Sequence, residues 1–145
     1  MPDCVLDTTV VALANGDLAA RQPGNAFDRR LRAIEQVVTG VRRLRYNTKI
    51  LGEYQRLVRQ YRNDVIEMLF LILDSDRSVL VRRSTLSRQE YAAAVKQCGW
   101  PSHDQHLLAA ALGGVDPAIV VTELHLGQCA SKIFRLFAVH VEYIG

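Results

Sequence analysis

The feature that most limits what this chain can fold into is a regular alternation of short strand-like runs with longer segments of helical period. Five runs have strand length: Cys4 to Leu6, residues 41–46 within "VRRLRYN", "SVLVRR" from Ser78, "AIVVT" from Ala118, and "AVHVEY" from Ala138. The segments between them carry helix signals. Thr9 to Asn15 reads as a first helix. Phe27, Leu31, Ile34, Val38 and Val41 then recur at helical spacing, a stripe that ends near Gly40. Asn47 or Thr48 caps the next helix, with Ile50, Leu51, Tyr54, Leu57, Val58 and Tyr61 on one face. Residues 64–74 form a very apolar helix that reads as a continuation of its predecessor or as a separate element.

In the second half, Ser87 with Glu90 makes a capping box for a helix stopping at Cys98-Gly99. Ser102 opens another helix, "HDQHLLAAAL", that ends at Gly113-Gly114, and residues 131–137 make a last one. "ARQPGN" is a loop, with Pro23-Gly24-Asn25 as its turn signal. Strands that alternate with helices throughout predict an α/β fold, a three-layer α/β/α sandwich around a central parallel sheet of four to five strands.

A chain of 145 residues, 49% of them hydrophobic, can bury one core without staples, so a single domain over residues 1–145 is expected. Three cysteines, Cys4, Cys98 and Cys129, are odd in number and lie in apolar stretches, which fits buried thiols in a reducing compartment. The start, Met1-Pro2-Asp3, lacks the basic lead of a secretory signal, and the strongly apolar run Met68 to Leu73 is far below the roughly 20 residues of a membrane span. A cytoplasmic protein with no membrane partner is the expectation.

Charge is unevenly distributed. From Arg21 to Arg62 there are eleven basic side chains against three acids, an excess of eight positive charges, while the remainder holds seven against twelve. Basic side chains gathered in one segment bind phosphates, and a separate acidic group can hold a cation. The competing reading is a set of solvated helix faces.

Four acids share a placement. Asp7 closes the first strand, Glu53 lies one to two turns into the helix after the second, Asp104 lies at the start of a helix, and Glu123 follows the fourth strand. Ligands bind open α/β sheets at the carboxyl ends of strands, and Asp7 and Glu123 meet there if the first and fourth strands are neighbours. The alternative for Asp7, or for Thr8, is simply to cap the following helix. Two carboxylates about 5 Å apart repel by roughly 3 kcal/mol at an effective dielectric of 20, so several together stay ionised only beside a cation. Oxygen donors without cysteine or paired histidines suit Mg²⁺ or Mn²⁺.

In these residues the chain resembles a PIN domain, a metal-dependent ribonuclease fold found in toxins of toxin–antitoxin pairs and in RNA-processing enzymes. "VLDTTV" matches the opening strand with Asp7 as first acid and Thr9 as the polar residue beside it. "ILGEYQRLV" matches the helical Glu followed by Tyr at Glu53, "HDQHLLAAAL" matches the third motif at Asp104, and "VVTELHLG" matches the fourth with Glu123 and His125. Two departures are Thr9 where Asn is commoner and the longer Glu123 in a loop shortened by one residue.

The resemblance implies a Rossmann-like three-layer fold and a Mg²⁺- or Mn²⁺-dependent endoribonuclease. Asp7, Glu53 and Asp104 would hold one ion, Glu123 with Asp7 would help position a second, and Thr9 and Thr122 would orient a water or a carboxylate. Cleavage would leave a 5′-phosphate and a 3′-hydroxyl. RNA is the implied substrate, with Arg42, Arg43, Arg45 and Lys49 as candidates for its backbone. An antitoxin protein and a second copy of the chain are the implied partners.

Other readings are a catalytically weakened module of the same scaffold that binds RNA or a protein, and a phospho-acceptor receiver domain. The latter expects an acceptor Asp after the third strand, where this chain has "RRSTLS". His103 and His106, with His125 near, also raise a zinc site. Trp100 and Tyr46 could stack on bases, although packing at element ends is the commoner fate of such residues.

Overall fold

The computed structural model describes residues 1–16, 26–58 and 61–145. Five parallel strands form its sheet in the order β3-β2-β1-β4-β5. They are β1 (Asp3–Leu6), β2 (Arg43–Tyr46), β3 (Ser78–Leu80), β4 (Ala118–Val121) and β5 (His140–Tyr143). The two most apolar runs, β1 and β4, are buried at every residue and pair with each other at the middle of the sheet, Leu6 opposite Val120. Strands covered on both faces need continuous rather than alternating hydrophobicity, and these two have it. The edge strands β3 and β5 are only partly covered.

Helices α1 (Thr8–Ala14), α2 (Ala26–Val38), α3 (Thr48–Leu57) and α4 (Asp64–Leu73) occupy the first half of the chain. In the second half lie α5 (Arg88–Tyr91), α6 (Gln105–Ala111), α7 (Leu124–Gln128) and α8 (Ala130–Phe137). With helices flanking the sheet, the molecule is the expected three-layer α/β sandwich. Residues His106 to Ala111 are all buried, and α6 packs across β1, β2 and β4. Among the described residues no helix is long and apolar enough to cross a membrane.

Element ends differ from the sequence reading for local reasons. Gly40 takes a left-handed backbone, φ 83°, as α2 ends, so Val41 is exposed and β2 starts two residues later than expected. Asn63 accepts a hydrogen bond from the Ile66 N–H (2.9 Å) and caps α4 as a separate helix. The Ser87–Glu90 capping box is present, and α5 runs on as a π-helical turn over Ala92–Gln97. Ala138, with φ 54° and ψ 34°, ends α8, which moves the start of β5 to His140. The Pro23-Gly24-Asn25 turn lies outside the described residues. All three cysteines are free and buried.

Candidate active site

Parallel strands align their carboxyl ends, and the backbone places two of the four acids, Asp7 and Glu123, at that edge. Asp7 directly follows β1, and its N–H extends the ladder to the Val120 carbonyl (3.0 Å). Although Asp7 is the residue before α1, its side chain makes no capping hydrogen bond. Its carboxylate instead accepts from the Thr9 hydroxyl (3.3 Å), and Thr9 shares a second bond of 2.6 Å with the hydroxyl of Thr122, just past β4. Glu123 comes next in the chain and is exposed.

Glu53 reaches the same edge from α3. The buried Asn47 sets the start of that helix: its carbonyl oxygen accepts from the Ile50 N–H (3.0 Å), and its amide donates to the carbonyls of Arg83 and His106. Tyr54, fully buried, donates its hydroxyl to the Leu6 carbonyl at the end of β1. That anchor explains a tyrosine beside the glutamate, because it pins Glu53 next to the start of α1. The Thr8 hydroxyl donates to Glu53 Oε2 at 2.5 Å, and His106 Nε2 lies 3.4 Å from the same oxygen.

Asp104 sits at the end of the short 3₁₀ turn Ser102–Asp104 that leads into α6. Trp100 holds this turn by donating its indole N–H to the Asp104 carbonyl (2.9 Å). Asp104 Oδ2 is buried with no hydrogen-bond partner among the described residues, and the exposed His103 Nε2 lies 3.4 Å from it.

Electrostatics ties the acids together. Asp7 is pushed up to a pKa of about 6, first by burial and then by the charges of Asp104 and Glu123, despite hydrogen bonds from Thr8 and Thr9 that pull it down. Asp104 is raised as well, by burial first, with Glu123 and Glu53 adding to it and His103 and His106 opposing. Burial pulls His106 below its ordinary value, against the opposing charges of Glu53 and Asp104. Such mutual elevation is what a cation relieves. As placed, no group of three or more His, Cys, Asp and Glu side chains among the described residues is set to hold a metal ion. The all-oxygen donors and the orphaned Asp104 oxygen nonetheless fit a hard divalent cation in kind.

Comparison with protein-family models, with curated proteins and with solved structures returned no match. The site is therefore read from its own chemistry.

The expected substrate-binding residues divide between the two ends of the sheet. Arg42 makes a paired bond with Glu142 (2.8 and 2.6 Å), and Arg43 binds the buried Asp3 (2.8 and 3.2 Å). Arg45 is buried and donates to the carbonyls of Ala110 (2.8 Å) and Leu112 (3.0 Å). Arg43 and Arg45 clamp the amino end of the sheet, opposite the carboxylates, whereas Arg42 precedes β2 and is occupied by Glu142 of β5, in register with Val120. Strand polarity carried that signal: the arginines open or line β2, whereas Glu53 follows it. Only Lys49, exposed on the first turn of α3, lies at the carboxylate end.

The histidines do not converge. His103 turns to Asp104, His106 to Glu53, and His125 Nε2 lies 3.1 Å from the Gly99 carbonyl. Trp100 and Tyr46 are buried, the latter with its hydroxyl on the Leu73 carbonyl (3.3 Å). Thr8 and His106, as partners of Glu53, were missed by sequence reasoning. From sequence Thr8 reads only as a cap, and His106 only as a zinc candidate.

Proposed function

We propose that this chain is a divalent-cation-dependent ribonuclease of the PIN type, with Asp7, Glu53, Asp104 and Glu123 as the carboxylates that hold Mg²⁺ or Mn²⁺. The observation that supports it most is the elevation of Asp7 to about 6 by burial and by the charges of Asp104 and Glu123, at the carboxyl end of the two central strands. When bound, the cation supplies hydroxide from its own water and offsets charge on the scissile phosphate. Asp7, Glu53 and Asp104 would hold it, and Glu123 with Asp7 would help position a second.

The surrounding groups orient those carboxylates. Thr9 donates to Asp7 and is itself held by Thr122; Thr8 and His106 aim the Glu53 carboxylate from two sides. Hydrogen bonds that hold a carboxylate's orientation lessen the reorganisation that cation binding requires, which is how such positioning would aid catalysis. Lys49 is in place to meet an RNA phosphate. Buried, reduced thiols support a cytoplasmic location, and a toxin-type role would add an antitoxin protein and a second copy of the chain as partners.

The test is cleavage of end-labelled single-stranded RNA by the parent protein and by Asp7→Asn, with and without Mg²⁺ or Mn²⁺. Cutting that needs the cation and vanishes in Asp7→Asn, with folding intact, is the expected result. RNA binding without cutting at any cation concentration would favour the weakened-module reading.

A further inference from the structure

Past β3 the chain runs on at the carboxyl end of the sheet as an irregular segment, residues 81–87. The Val81 N–H donates to the Tyr46 carbonyl (2.7 Å) and prolongs the pairing of β2 with β3. The Asn47 amide then donates to the Arg83 carbonyl (3.2 Å) and to the His106 carbonyl (3.0 Å), and the Leu86 N–H donates to Gln105 Oε1 (3.0 Å). The segment is thereby tied to the start of α3 and to the start of α6. Glu53 lies on α3 and Asp104 immediately precedes α6, so two of the four acids belong to the elements that hold it.

This segment offers unused donors. Arg82 is exposed, and its guanidinium makes no ion pair or hydrogen bond among the described residues, whereas its neighbour Arg83 is engaged by Glu90 (2.6 and 3.1 Å). Thr85 is exposed and Ser84 half-buried, and neither hydroxyl has a hydrogen-bond partner among the described residues. Lys49, on the first turn of α3, is exposed and likewise unpaired among them. Neighbouring strands lie about 4.8 Å apart, which puts the exits of β2 and β3 about 5 and 10 Å to the side of the β1 exit at Asp7. Carboxylates repel a polyanion, so a strand lying across them needs cations at the neighbouring exits. Lys49 and Arg82 stand at those two.

We propose that Arg82, with the Ser84 and Thr85 hydroxyls, forms a backbone-binding strip for single-stranded RNA beside the carboxylates, reached by way of Lys49. It rests on the ribonuclease reading and extends substrate contact to nucleotides next to the scissile linkage. A planar guanidinium donates to two oxygens of one phosphate, and hydroxyls both donate to phosphate and accept from a ribose 2′-hydroxyl. One guanidinium with two neutral hydroxyls suits a sugar–phosphate chain better than a row of protein carboxylates. The bonds from Val81, Asn47 and Gln105 hold the segment in place, so little of it has to be ordered on binding.

Binding of end-labelled single-stranded RNA is measured in EDTA, where cleavage is silent, over a salt series. The proteins are the full chain, Arg82→Gln, Ser84→Ala combined with Thr85→Ala, and Arg77→Gln. Arg77 precedes β3, so its loss removes the same charge at the other end of the same strand. Expected are a weakening of about tenfold in Arg82→Gln with a salt slope shallower by about one unit, and no change in Arg77→Gln. The double variant loses about threefold with its slope kept, because neutral donors release no counterions. With Mg²⁺ present, Arg82→Gln raises KM for the RNA and leaves kcat in place. Its melting temperature matches the parent's, since the side chain is exposed and unpaired.

Unchanged affinity and slope in Arg82→Gln overturn the strip, and so does an equal loss in Arg77→Gln, which would reduce the effect to net charge. Poly-glutamate that displaces the RNA as well as unlabelled RNA does would assign the segment to an acidic protein and overturn it too. Arg82-dependent binding in a parent that never cuts RNA would refute the nuclease and leave the strip standing. Cation-dependent cutting with KM unmoved in Arg82→Gln would do the reverse.

Discussion

The hydroxyls of Thr9 and Thr122 lie 2.6 Å apart, joining the first turn of α1 to the residue that leaves β4 across 113 positions of sequence. Because Thr9 also donates to Asp7, this clasp sets the orientation of the acid that burial and the charges of Asp104 and Glu123 push up to about 6. Thr9→Val deletes both bonds while keeping the shape. It should cost about 1 kcal/mol in denaturant unfolding and move the Asp7 titration upward, as followed by carboxyl NMR.

Asp7 makes the metal-free protein sensitive to pH in a direction opposite to the usual carboxylate. Its folded pKa stands above the ordinary 3.8, at about 6. In that window the folded state holds the proton more tightly than the unfolded state, so stability falls as pH rises from about 4 to about 6 and stays lowered above it. Asp7→Asn should therefore be more stable than the parent at pH 7.5, by on the order of 1–3 kcal/mol, with the gap closing below pH 4. Equal or lower stability of the variant at pH 7.5 would refute the repulsion.

Glu90 shows the normal sign. The paired bond to Arg83 first, and then the Ser87 capping bonds, outweigh burial and hold its pKa down at about 2, against an ordinary 4.5. Its contribution is present above pH 4.5 and is lost as the pH falls toward 2. Both partners are partly exposed, so Glu90→Gln should cost only about 1 kcal/mol at pH 7, vanishing in acid melts.

Asp3 is a buried structural charge. Burial alone would raise its pKa, but the Arg43 bond, the Val115 N–H and the charges of Arg43 and Arg45 prevail and keep it below the usual value. Removing it leaves guanidiniums uncompensated, so Asp3→Ala should lose about 3–5 kcal/mol in urea unfolding. Arg43→Gln should lower stability while leaving RNA affinity unchanged, since its guanidinium stands at the far end of the sheet; filter binding beside a thermal melt checks both.

Much of this architecture was legible because its signals are local. Asn47 and Ser87 announce helix starts three residues ahead of the N–H groups they accept from, and Gly40 marks the stop of α2. The short apolar runs "CVL" and "AIVV" were legible as strands, and their place at the middle of the sheet comes from the strand order. Their adjacency was an assumption that Asp7 and Glu123 needed, and the β1–β4 pairing supplies it. What went unread was direction: Arg42, Arg43 and Arg45 looked available to RNA until Asp3, Glu142 and two α6 carbonyls were seen to occupy them.

Because periodicity, capping and turn chemistry act within a few residues, the sequence by itself determined the five strands, most of the helices, their order and the set of candidate acids, though not the short helix α7 or the break before α4. Only the tertiary structure decided that Thr8 meets Glu53 across 45 positions and that Thr9 meets Thr122. Those pairings depend on strand order and on how helices seat against the sheet, and packing of the whole core chooses both.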